Sequence, residues 1–202
     1  TGKTIIISLT TLVLLPLTIE RLGLKLYGII SLTLLLSGVS SIVDLGLSKS
    51  IVLLSGEKKI SENKVVTSAL VINGIIIASL TIIFILIQFL DIDLLGENLN
   101  LSENEKFILI NTGFLILILT MLNNLFRAIL EASYLIHIVN LGFAIHTPLL
   151  YSVIFISSFF TQSAHFYIII PLFLAVAMLL FNLFFVKKKT EVKLVTIKFI
   201  HV

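Results

Sequence analysis

Apolar residues in this chain run in long blocks instead of alternating with polar ones. Five blocks are long enough to cross a bilayer: Gly28–Leu54, Val65–Leu90, Phe107–Phe126, Leu141–Phe160 and Phe166–Val186. A shorter one, Thr4–Leu17, leads the chain, and the first long block is interrupted at Asp44-Leu45-Gly46. A helix rises about 1.5 Å per residue, so about 20 residues span a ~30 Å hydrocarbon core. Backbone groups find no hydrogen-bond partner in lipid, so blocks of this length must be helices. The pattern predicts an all-α, polytopic membrane protein built as a six-helix transmembrane bundle.

Composition agrees. The chain is 58% hydrophobic and 12% charged, against about 25% charged in an ordinary soluble domain. It has no cysteine, which excludes disulfides and thiolate metal sites. Its four histidines are widely spaced, so neither a metal centre nor a cofactor is expected. No pattern points to nucleic acid.

Charge placement gives the orientation. Lys3, Lys49, Lys58, Lys59, Lys64, Arg127, Lys187, Lys188, Lys189, Lys193 and Lys198 fall on one side of the predicted spans. Only Arg21, Lys25 and Lys106 fall on the other. The positive-inside rule then predicts both termini in the cytoplasm. The acidic stretch with Asp91, Asp93, Glu97, Glu103 and Glu105 becomes an external loop.

Thr4–Leu17 reaches only about 21 Å as a helix, so the first helix is expected to be truncated, with residues missing upstream. A signal peptide is disfavoured, because Pro16-Leu17-Thr18 leads into Glu20-Arg21 without a small-x-small cleavage site. Residues 1–189 are expected to form one bundle. Residues 190–202 are a basic cytoplasmic tail, either lying on membrane lipids or linking to a missing second bundle.

Function in such a chain is sought where polarity interrupts the apolar blocks. Between Pro16 and Gly28 lies a short charged stretch with two glycines, read as an external turn. Arg21 in it suits an anchor among headgroups or an anion ligand on the bundle axis, and position favours the anchor. Asp44 is expensive if it faces lipid and should face protein or water, with Lys49 a possible partner. It is a helix cap or a coupling group. Arg127 and Glu131 are four apart and share a helix face. They form a self-contained ion pair, or Glu131 steadies a guanidinium whose planar fork grips phosphate in a polar cavity. Asn111, Asn123 and Asn124 are candidates to bond across helices or to line that cavity. His146, beside Thr147-Pro148, reads as an interhelical contact more than a proton relay, and Pro148 as a kink.

Three of these stretches together resemble the Wzx-type polysaccharide flippases, relatives of the multidrug-extruding MATE transporters. They are Glu20-Arg21-Leu22-Gly23 with Tyr27-Gly28, then Asp44-Leu45-Gly46-Leu47, then Arg127-Ala128-Ile129-Leu130-Glu131-Ala132 with Asn140. The resemblance covers Thr1 to about Lys189. It implies the N-terminal half of a transporter made of two facing six-helix bundles, so a C-terminal half or second subunit is an expected partner. It implies a transporter in the bacterial cytoplasmic (inner) membrane, and no enzyme. The implied cargo is an undecaprenyl-pyrophosphate-linked oligosaccharide, moved from inner to outer leaflet by alternating access for polysaccharide or O-antigen synthesis. Arg127, Arg21, Lys25, Asn123 and Asn124 then become candidates for binding the pyrophosphate, and Asp44, Glu131 and Lys49 candidates for coupling or gating. The alternatives are a MATE-type drug or cation antiporter, a membrane-embedded glycan-modifying enzyme, and a structural subunit.

Overall fold

The computed structural model describes residues 2–44, 46–56, 62–90 and 102–189. Lys58, Lys59, most of the acidic loop and the basic tail from 190 onward lie outside them. In chain order the helices are α1 (Gly2–Val43), α2 (Leu47–Gly56), α3 (Glu62–Phe89), α4 (Glu103–Ala132), α5 (Ile136–Ser157) and α6 (Ala164–Lys189). All but α2 are long and apolar enough to cross a membrane. The molecule is an all-α, multi-pass membrane bundle.

The helix boundaries differ from the sequence reading in an informative way. The predicted turn over 16–28 is mostly helical, and the only non-helical residue inside α1 is Gly23, at φ +75° and ψ 165°. That backbone region is essentially open to glycine alone. Pro16 and Gly28 sit within helical turns. Gly23 nonetheless redirects the chain. Leu17 and Arg21 before it lie against Phe155 of α5 and Phe159 just beyond it, while Leu22 and Ile30 on its two sides pack with Leu150 and Ile154.

The interruption read at Asp44-Leu45-Gly46 does end a helix. The break is stabilised locally: Gly46 takes φ +78°, and Leu47 N donates to Asp44 O at 2.7 Å. α2 then begins, and at ten residues it is too short to cross.

α4 touches each of the other five helices. Ser102 and Glu105 form a reciprocal capping box at its start, satisfying amides that the first turn leaves open. Apolar positions recurring at three and four residues, from Leu109 through Ile116, Leu117, Met121 and Leu125, are buried. One apolar core joins α2, α3, α4, α5 and α6 through Ile51, Val66, Ile129, Val139 and Val186. A second, toward the other end, joins α1, α5 and α6 through Ile30, Ile154 and Tyr167. α3 sits outermost, held to α4 by a Phe84–Phe114 ring stack with centroids 3.9 Å apart and by Gln88 Nε2 donating to Asn111 Oδ1 at 3.2 Å.

Candidate functional site: a polar cavity between four helices

Between the two cores α4 turns a polar stripe inward. Thr120 and Arg127 each lie three or four residues from Asn123 and Asn124, so the four line one face. They open on a cavity of about 380 Å³. α1 closes it with Leu34, Gly38 and Ser40, α5 with Phe143, His146, Thr147 and Leu150, and α6 with Pro171, Ala175, Met178 and Asn182.

Arg127 supplies the cavity's charge. Its Nε lies 3.7 Å from Glu131 Oε1, both side chains being half-buried, and its guanidinium carbon sits 5.1 Å from the Phe143 ring centre. The ion pair is long and made through Nε, which leaves the two terminal nitrogens outside that contact. A planar guanidinium presents those nitrogens as a pair matched to phosphate or carboxylate oxygens. Among the described residues, no aspartate or glutamate lines the cavity, and no cluster of potential metal ligands occurs.

Amides occupy the rest of the polar wall. Asn123 Nδ2 donates to Ala175 O at 3.1 Å, and Asn182 Nδ2 donates to Asn123 Oδ1 at 3.1 Å. Asn182 is 1% exposed, and its Oδ1 is a buried acceptor without a hydrogen-bond partner. Leaving a buried acceptor unpaired carries a desolvation cost. Asn124 Nδ2 reaches Ser40 Oγ at 3.5 Å, a weak contact at the limit of hydrogen-bond length.

The structure separates the sequence candidates. Arg127, Asn123 and Asn124 line the cavity, and Glu131 stands just behind Arg127. Asp44 is absent from the cavity wall; it holds the first turn of α2. Its Oδ2 accepts from Ser48 N at 3.1 Å and its Oδ1 from Ser48 Oγ at 3.0 Å, while Lys49 is exposed. Ser48 Oγ also approaches Asn124 O at 3.4 Å. The Asp44 and Arg127 stretches thus meet across α1, α2 and α4. Arg21 and Lys25 do not join them: Arg21 stacks on Phe159, 3.6 Å from the ring centre, beside Glu20 and Gln162, and Lys25 is exposed.

His146 and Asn182 are among the cavity residues that were not site candidates. His146, read as an interhelical contact, lines the cavity. Asn182 drew no attention, although a lone amide deep in an apolar run is costly in lipid and is itself a signal. Comparison with protein-family models, with curated proteins and with solved structures finds no match to this chain.

Proposed function

We propose that this chain forms the N-terminal bundle of a Wzx-type flippase. In this reading it moves an undecaprenyl-pyrophosphate-linked glycan across the bacterial cytoplasmic membrane. Six crossings follow if the chain reverses at Gly23, with both ends of the chain in the cytoplasm and Arg21 at the outer face. The complete transporter then pairs this bundle with a second one.

The observation that carries the reading is the placement of Arg127 among Asn123, Asn124 and Asn182 on one interior cavity. The guanidinium would attract the pyrophosphate, and the amides would replace water around a head that cannot cross hydrocarbon unaided. A cavity with one Lys or Arg side chain and no carboxylate on its wall among the described residues suits an anionic cargo better than a cationic drug. An uncompensated head of charge about −2 moving outward gains roughly 4–5 kcal/mol per 100 mV of cell-negative potential. That gain vanishes for any positive charge carried with it.

The test is Arg127→Ala in cells whose surface glycan depends on the protein. Surface glycan should fall at matched protein level, with Arg127→Lys intermediate because the point charge remains without the fork. Undiminished glycan would remove Arg127 from the path, and the flippase reading would lose its main support.

A further inference from the structure

A groove of about 320 Å³ runs between α2 and α3, apart from the polar cavity. Its floor is apolar: Ile51 of α2 and Ala69 of α3 line it, both buried members of the core that joins the helices at this end. Its rims are large apolar side chains that stay open to the surroundings, Leu54 at 39% exposed and Ile72 at 46%. Lys64, Ser68 and Ile72 follow at four-residue steps along α3, so they share one face. The charge lies at one end of that face. Lys64 is exposed in the first turn of α3, the Ser68 hydroxyl comes one turn later, and Ile72 stands about 12 Å from Lys64 along the helix. Ser50 also lines the groove, but its hydroxyl donates to Gly46 O at 3.1 Å. Among the described residues, no aspartate or glutamate lines the groove. More lysines stand exposed at the same end of the bundle: Lys49 comes two residues before Ile51, and Lys187 directly follows Val186, both residues of that core.

We propose that this groove holds an anionic phospholipid, its phosphate on Lys64 and Ser68 and one acyl chain over Ile51 and Ala69 between Leu54 and Ile72. The site needs only that the bundle lies in a membrane, and it stands apart from the cargo proposed above. A lysine ammonium attracts a phosphate as a point charge, and a serine hydroxyl adds a donor to a second oxygen. Basic side chains at the end of an apolar groove match a lipid's own division into charged head and apolar chain. A second copy of this chain is a poorer occupant. Copies inserted in one orientation bring equal ends level with each other, so a two-fold contact at the groove would set two Lys64 side chains at one depth without a described carboxylate on either wall. The lipid also has a structural consequence. α2 is too short to cross the membrane, and a chain lying against both helices ties it to α3.

The chain has no tryptophan, so a single introduced indole reports without background. Leu54→Trp and Ile72→Trp place one on each rim. Ile82→Trp is the control, since Ile82 lies on α3, is 60% exposed and does not line the groove. Each full-chain variant is placed in phosphatidylcholine vesicles holding a minor fraction of phosphatidylglycerol with brominated chains, which quench an indole on contact. Quenching at positions 54 and 72 should exceed that at 82 several-fold. The same fraction of brominated phosphatidylcholine should quench all three alike, and adding Lys64→Gln should bring 54 and 72 down to the level of 82. Equal quenching by phosphatidylglycerol at all three positions overturns the site. An excess that survives Lys64→Gln, or that brominated phosphatidylcholine reproduces, shows a groove that takes any lipid chain and overturns the recognition of charge. Quenching at 82 with neither lipid reaching 54 or 72 shows the groove covered by protein, and overturns the lipid as its occupant.

Discussion

Asn182 on α6 donates its side-chain amide to Asn123 Oδ1 on α4 at 3.1 Å, and Asn123 hands its own amide to the Ala175 carbonyl about two turns earlier on α6. Two helices that flank the cavity are therefore joined by a two-step amide relay in which Asn123 is the middle member. Removing the middle and removing the end are different perturbations.

Asn123→Ala leaves the buried Asn182 amide without its acceptor, and should cost about 1–3 kcal/mol, the usual penalty for stranding a buried polar group. Asn182→Leu removes a side chain that already carries an unpaired oxygen. It should cost less, about 0.6 kcal/mol, the average worth of an interhelical hydrogen bond in a membrane protein. Unfolding of purified protein in detergent measures both. A larger loss for Asn182→Leu than for Asn123→Ala would contradict the relay as drawn. Glycan export should nonetheless fall in both variants, because each removes a polar group from the cavity wall.

Asp44 offers a choice between a structural and a coupling role that one substitution resolves. Both carboxylate oxygens engage Ser48, through its amide and its hydroxyl. Asparagine can accept from the amide with its oxygen and donate to the hydroxyl with its nitrogen, so Asp44→Asn should keep α2 in place and leave export near normal. Asp44→Ala leaves the first turn of α2 unsupported and should cost about 1 kcal/mol, as lost helix-end contacts do. Abolished export in Asp44→Asn, with protein level and melting temperature unchanged, would show that the carboxylate's charge is used in transport.

What the sequence made legible follows from whether a signal was local. Arg127, Asn123 and Asn124 stood out because polar residues crowd one helix face, and that face is the cavity wall. The break at Asp44-Leu45-Gly46 was readable because an acid and a glycine interrupt an apolar block. Position favours an anchor for Arg21, but its partner Phe159 lies far along the chain and no local pattern announces the stack. Asn182 was passed over because a single amide has no periodicity, although burial in an otherwise apolar helix was reason enough to ask what it meets. The two glycines near 23 and 28 carry the same letter. Only backbone angles distinguish a residue that ends one helical segment from one that continues the next.

Tyr134 stores strain at the link between α4 and α5. Its φ is +60°, the left-handed conformation that costs a non-glycine residue about 1–2 kcal/mol. Around it Tyr134 N donates to Glu131 O and Leu135 N to Leu130 O, the hydrogen-bond pair of a Schellman ending, whose left-handed position usually holds glycine. The ring is 86% exposed, so little packing is lost on its removal. Tyr134→Asn, which tolerates this conformation, should raise stability by up to about 1 kcal/mol. Tyr134→Gly should gain less, since glycine also loses more freedom on folding. A fall in melting temperature for both would mean that the tyrosine contributes more at the membrane surface than its backbone costs.

Gly23 and Gly28 provide the sharpest contrast between neighbouring positions. Neither meets another atom within 4 Å of an added Cβ, so packing cannot separate them and the backbone must. At Gly23, φ +75° with ψ 165° is closed to alanine at a cost of about 1–3 kcal/mol. Relieving it would straighten α1 and pull Arg21 from Phe159. At Gly28 the backbone is helical, and alanine should stabilise by about 0.5–1 kcal/mol. Thermal unfolding of the two alanine variants should therefore move in opposite directions. Alanine tolerated equally at both positions would show that α1 does not bend at Gly23, and the six-crossing topology built on that bend would fall with it.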